Sequence, residues 1–169
     1  IARKRLQTVA IVHSDATFHV SAAEGIKKWS SLFGLDVIHI SRYQWGDGKL
    51  PGIVEDLGNL QVDAVIFCGY PPACYKFLEI LEKNSIRPTG LALTIAPALP
   101  GFYNRVGPFA ENIFGPSQWE ADERIPFPGT SQFISSFTGK VGKEPSYQAC
   151  SSYSAGLILE RAVYQAGKI

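Results

Sequence analysis

Asp63-Ala64-Val65-Ile66-Phe67-Cys68-Gly69-Tyr70-Pro71-Pro72 is the stretch on which the fold turns. Its five central residues are continuously apolar and include β-branched and aromatic side chains, which suits a strand covered on both faces, as in a parallel sheet. Gly69 breaks the run, and Pro71 and Pro72 stand where a helix tolerates proline, in its first turn. Phe77, Leu78 and Leu81 then recur at helical spacing. The stretch therefore reads as strand, tight loop, helix.

The same unit recurs on either side. Upstream, Thr8-Val9-Ala10-Ile11-Val12-His13 is a second buried-strand pattern, followed by Phe18, Ala22, Ile26, Trp29 and Phe33 at helical spacing up to Gly34. Such spacing predicts an amphipathic helix with that stripe inward and a terminal glycine. Leu35 to Ile40 gives another strand, Arg42 to Lys49 a polar loop, and Leu50 to Leu60 a helix whose end Gly58 weakens. Downstream, Thr89 to Ile95 predicts a fourth strand. Ala110 to Phe114 predicts a fifth, after a short helix near Tyr103. Alternation of this kind predicts a doubly wound, three-layer α/β sandwich with a parallel sheet and right-handed crossovers.

The pattern breaks between Ser117 and Thr130, where Pro126, Pro128 and Gly129 make an irregular connector. We place a boundary there, with an α/β lobe over residues 1–117 and a connector plus helices over 118–169. Thr130 to Val141 predicts one helix, and Pro145-Ser146 opens a longer one ending at Gly167. The last helix is apolar along two lines, Cys150, Tyr153, Leu157 and Tyr164 on one and Ile158, Leu159, Ala162 and Val163 on the other, so it calls for cover on two sides.

The 169 residues balance 16 Lys and Arg against 15 Asp and Glu. A surface so nearly neutral has no field to hold nucleic acid, which leaves a small molecule or a protein as partner. No run approaches the roughly 18 apolar residues of a membrane span. The absence of Met makes the sequence read as a segment of a longer product. Cys68, Cys74 and Cys150 are an odd number without zinc-ligand spacing. Cys68 suits a small apolar residue at a strand end, with a Cys68–Cys74 bridge as the alternative.

Ligands of doubly wound sheets sit beyond the carboxyl ends of the strands. The loops to inspect are Ser14-Asp15-Ala16-Thr17-Phe18, Gly69-Tyr70-Pro71-Pro72 and Thr94-Ile95-Ala96-Pro97. None carries the glycine pattern of a dinucleotide or phosphate loop, and Ser14 lacks the flanking glycines of a nucleophile elbow. His13, Ser14 and Asp15 are the residue types of a hydrolytic triad, but adjacent strand positions point to opposite faces. His39 is expected on a strand and His19 on the solvent side of its helix. No enzyme chemistry, cofactor or metal is expected.

Four segments resemble the type I periplasmic solute-binding proteins, in particular the leucine/isoleucine/valine branch that serves ABC importers. They are Val9–Phe18 (VAIVHSDATF), Asp63–Pro72 (DAVIFCGYPP), Gly115–Trp119 (GPSQW), and Pro145–Gly156 (PSYQACSSYSAG) leading to Glu160–Gly167 (ERAVYQAG). The resemblance implies two α/β lobes that close on a solute, with a membrane permease reading the closed form, in the periplasm or outside the cell. It implies that Thr8 to about Ser117 is the second lobe, that GPSQW is a hinge crossing, and that the helices from Thr130 pack with the other lobe. A helix so exposed would make the chain self-associate. The alternatives carried with this reading are a sensory domain of a transmembrane receptor, using the same cleft, and a flavodoxin-like or Rossmann-like enzyme.

By motif position, Phe18 matches an aromatic that closes over the ligand and Tyr70 a pocket tyrosine, while Thr94 stands where amino acid receptors place a glutamate. Ser14, Thr17 and Pro71 complete this half of the site, and Gln148, beside Tyr147, approaches it only with the other lobe. Losing the glutamate removes a charge-assisted bond to an ammonium, worth about 1.5–3 kcal/mol. An aromatic or aliphatic carboxylate or an amide therefore joins the amino acids as an expected solute. The plainer readings stay open: Tyr70 as a loop tyrosine with its hydroxyl in water, Phe18 as a cap on its helix, and Thr94 as a strand residue. Trp119 is expected to pack the hinge.

Overall fold

The computed structural model describes residues 6–122, 124 and 127–167, and divides into two compact units. The first comprises the described residues up to Pro97 together with Gly101–Pro116; the second comprises Ala98–Pro100 and the chain from Ser117 onward.

In the first unit, five strands form one parallel sheet in the order β2-β1-β3-β4-β5. They are β1 (Thr8–Ser14), β2 (Asp36–Tyr43), β3 (Ala64–Cys68), β4 (Gly90–Leu93) and β5 (Ile113–Phe114). Helices α1 (Thr17–Ser30), α2 (Leu50–Leu60), α3 (Pro71–Lys83) and α4 (Phe102–Val106) alternate with them. The three-layer α/β expectation holds.

Strand alternation sends side chains to two cores. Ala10, Val12, Val65, Phe67, Leu91 and Leu93 meet the buried stripes of α2 and α3, including Val54, Leu57, Phe77 and Leu81. Val9, Ile11, Ala64 and Cys68 meet Ala23 of α1 on the opposite face. Phe67 is the centre of the larger core, stacked on Phe77 at 4.3 Å and on Tyr43 at 5.4 Å between ring centroids. At the start of the sheet, the Asp63 carboxylate accepts from the amides of Gln7 and Thr8 and from the Thr8 hydroxyl, at 2.9–3.0 Å. This bracket ties β1 to β3, and the donated bonds hold the carboxyl below its usual range.

Several boundaries differ from the sequence expectation. β2 continues through Ser41 and Arg42 to Tyr43, because β1 runs on to Ser14 and pairs with it, Ser14 against Tyr43. Polar residues are admitted there because β2 is an edge strand. β4 and β5 are shorter than expected. The larger correction is to α1, whose inward positions are His19, Ala23, Ile26 and Ser30, while Phe18, Trp29 and Phe33 are exposed. Ala22 and Ile26 face the core as expected, but the buried stripe is centred on His19 and Ala23 instead of Phe18, and the C-terminal glycine, Gly34, closes a following 3-10 turn at φ 69°.

Gly58 does not break α2. A Cβ there would stand 2.9 Å from Ile86 Cδ1, so the glycine is where Ile86 closes against the helix. Cys68 and Cys74 are free thiols in the two different cores, on opposite faces of the sheet, which removes the bridge alternative. Among the described residues no helix is long and apolar enough to cross a membrane.

The second unit holds α5 (Thr130–Val141) and α6 (Tyr147–Ala166). Thr130 and Phe133 of α5 are buried, and the Phe133 ring is stacked on Tyr153 at 4.8 Å and edge-on to Trp119 at 5.7 Å. The Ser146 hydroxyl caps α6 by accepting from the Ala149 amide, and Gly167 ends it in the left-handed conformation. No residue of α6 is buried, and Leu157, Ile158, Leu159 and Tyr164 lie open along its length.

Candidate functional site

The strand order reverses direction at β1 and β3, and the register brings their carboxyl ends level. His13 pairs with Cys68 and Phe67 with Leu93, so the tips of β1, β3 and β4 share one edge of the sheet. This is the crevice in which doubly wound folds seat ligands. Ser14 ends β1, Thr17 and Phe18 open α1, Tyr70 and Pro71 open α3, and Thr94 follows β4. Gln148 belongs to the other unit, exposed in the first turn of α6.

Ser14 and His19 are the polar heart of this edge. Ser14 Oγ lies 2.6 Å from His19 Nδ1 and accepts from the Ala16 amide at 3.2 Å. His19 is 0% exposed, and its Nε2 has no hydrogen-bond partner among the described residues. Burial, and then the neighbouring His13, hold its pKa below the ordinary imidazole value. An unpaired buried donor costs about 1–3 kcal/mol, so this position carries a stability penalty. The rings of Tyr70 and Phe18 lie edge-on to the imidazole, with centroids 4.5 and 5.3 Å away. Both aromatics are more than half exposed, Phe18 at 56% and Tyr70 at 54%.

The expectation that His19 faces solvent is thus overturned. The strong Ser14 contact draws the imidazole inward and sets the rotation of α1, which leaves Phe18 at the mouth instead of in the core. A serine at a strand end followed five residues later by histidine is the local signal that helical periodicity alone passed over.

The surrounding loops are braced. The Gly69 amide donates to Thr94 Oγ1 at 3.3 Å and the Thr94 amide to the Phe67 carbonyl at 3.2 Å, so Thr94 steadies the turn that presents Tyr70. Gly69 has no room for a side chain, since a Cβ would run into the Tyr43 hydroxyl and the Phe67 ring. Asp15 is the acid of this edge, and its Oδ2 accepts from Gln44 Nε2 at 2.7 Å. His13 does not join Ser14 in a triad, its Nδ1 lying 2.8 Å from the Ser14 carbonyl oxygen. The Ser14–His19 pair has no carboxylate on Nε2 to orient it as a base. Among the described residues no three His, Cys, Asp or Glu side chains gather as metal ligands.

A separate cavity of about 840 Å³ lies in the second unit, lined by residues including Trp119, Phe133, Tyr153 and Ile158. Among the described residues no charged side chain borders it, and its polar lining is neutral, from Gln118, Thr130, Gln132, Ser151 and Ser154.

A family model described as "Periplasmic binding protein" matches residues 1–169. The chain belongs to the periplasmic binding protein family. Solved solute-binding proteins carry the same fold over almost all of it. One is the solute-binding protein of an ABC transporter from Rhodopseudomonas palustris BisB5, in complex with 3,4-dihydroxybenzoic acid (13% identity, TM-score 0.78, 97% of this chain and 45% of that one). Another is a leucine-binding protein from Thermotoga maritima (18% identity, TM-score 0.77, 96% and 46%). A third, from R. palustris, is in complex with benzoate (18% identity, TM-score 0.76, 94% and 43%). At these identities the likeness shows the fold, and the chain spans less than half the length of each of these solved proteins.

Proposed function

We propose that this chain supplies one wall of a solute-binding cleft in an extracytoplasmic receptor of an ABC importer, and that it binds without chemical conversion. The observation that carries the reading is the pair of exposed aromatics, Phe18 and Tyr70, held over a buried polar pair where the strand order reverses. Exposed rings with a fixed polar floor suit a small, partly apolar solute. Ser14, Thr17, Pro71 and Thr94 complete the wall, and Gln148 belongs with the opposing side.

The solute class is an aromatic or aliphatic carboxylate, an amide, or an amino acid whose ammonium is not read at Thr94. The Thr94 hydroxyl is neutral and already braces Gly69. A permease would read the closed state, and hinge closure around the solute would be the working motion. The apolar lines of α6 would be covered by the other lobe, and without that cover the chain would self-associate.

The test is calorimetric titration with L-leucine, L-isoleucine, benzoate and 3,4-dihydroxybenzoate. At least one should bind, and Phe18→Ala and Tyr70→Ala should each weaken it by roughly tenfold or more, in line with the 0.5–1.5 kcal/mol of an aromatic contact plus its buried area. Heat from a solute that ignores both substitutions would count against the cleft reading, as would silence across the panel.

A further inference from the structure

The protonation of His19 can be assigned from its partners. Ser14 Oγ already accepts from the Ala16 amide, so its own proton is free to be donated, and the acceptor within reach is His19 Nδ1 at 2.6 Å. In the opposite tautomer Nδ1 would donate, leaving both the Ser14 proton and the Nε2 lone pair without protein partners. Donation by Ser14 leaves a single unpaired group, the Nε2–H. The depressed pKa keeps the ring neutral near pH 7.

That donor is placed as a recognition group would be. It is fully buried at the crevice, flanked edge-on by two aromatic rings that are themselves more than half exposed. Helix α1 begins beside it with no side-chain cap on its first turn, so the positive end of the helix adds to the preference for negative oxygen. A buried donor left unpaired in the protein is explained if a ligand completes it.

We propose that His19, locked by Ser14 as an Nε2–H donor, is the specificity determinant of this wall and selects solutes that present an acceptor oxygen, a carboxylate above all. The inference rests on the cleft reading above and adds to it the group that discriminates. Phe18 and Tyr70 swing apart to admit the solute, then close on its flanks while Nε2–H donates to its oxygen.

The tautomer is read directly from the imidazole ¹⁵N shifts of histidine-labelled protein, followed while benzoate, 3,4-dihydroxybenzoate or benzylamine is titrated. The free protein should show His19 protonated at Nε2. Both acids should move that resonance together with the Phe18 and Tyr70 amides, and benzylamine, which has no oxygen, should move none of them. His19→Leu should weaken the acids by about tenfold to a hundredfold, the loss of a bond to a charged acceptor, and His19→Gln should restore part of it.

An Nδ1–H tautomer overturns the proposal, as does benzylamine binding as well as benzoate, or a loss of threefold or less in His19→Leu. Movement at Phe18 and Tyr70 with His19 unmoved overturns it while leaving the cleft standing; silence at all three with both acids removes the cleft reading as well. Should His19→Leu fail to fold, the tautomer and the shifts on the unsubstituted protein decide.

Discussion

Single residues set the chemistry of the crevice, and two of them make opposite demands on the protein. His19 is buried with a lowered pKa, so the unfolded chain binds its proton more readily than the folded one. The sign follows: stability falls as pH drops below the ordinary imidazole value of about 6.5, and goes on falling until the folded-state value is passed. The titratable groups facing it are His13 on β1, which lowers it further, and Tyr70 at the head of α3. Urea midpoints measured between pH 7.5 and 5 should decline more steeply in the unsubstituted protein than in His19→Gln; parallel slopes would refute this account. At Thr94 the demand concerns the ligand. Thr94→Glu should raise affinity for L-leucine by about ten- to a hundredfold relative to benzoate, by supplying a partner for the ammonium, as read by calorimetry. It should also loosen the Gly69 turn, since the Thr94 hydroxyl holds the Gly69 amide.

Elements were the most legible part of the sequence, and the reason is physical. Runs such as Val65-Ile66-Phe67 and Val9–Val12 carry their own signature of burial on both faces, and Pro71-Pro72 marks a helix start on its own. The order of five strands and their helices followed from these runs, and with it the placing of Ser14, Phe18, Tyr70 and Thr94 at the strand tips. What escaped was rotation and extent. Periodicity gives a helix its spacing but not its phase when apolar residues sit on two lines, and in α1 one hydrogen bond to Ser14 chose His19 over Phe18. The extension of β2 to Tyr43 was hidden because pairing with β1, not local hydrophobicity, stabilises it. At this scale Phe67 joins the layers, touching Tyr43 on β2 and Phe77 on α3. Phe67→Ala should lower the unfolding free energy by roughly 3–5 kcal/mol in urea titration. A cost under 1 kcal/mol would mean that the core is looser than these stacked rings imply.

At the scale of the whole chain, the second unit is where cover is wanting. α6 buries none of its residues and leaves Leu157, Ile158, Leu159 and Tyr164 exposed in one helix. Exposed apolar side chains in such number along one helix are a common mark of an interface. Sedimentation at rising concentration should show reversible self-association, and Ile158→Glu, which places a charge in the middle of the patch, should reduce it without lowering the melting temperature of the first unit. A chain that stays monomeric at high concentration would show that α6 tolerates water.

The separation of Cys68 and Cys74 onto opposite sides of the sheet bears on how the fold meets oxidants. Their sulfurs are kept protonated, with burial pushing Cys68 up to about 11 and Cys74 up to about 12, and the thiolate is the species that oxidants and disulfide exchange attack. Their side chains belong to different cores, and the Cys74 thiol is engaged with the Gly69 carbonyl at 3.2 Å. These two thiols are sheltered for as long as the first unit stays folded, and open to mispairing only while it is being made or unmade; Cys150, partly exposed on α6, has no such shelter.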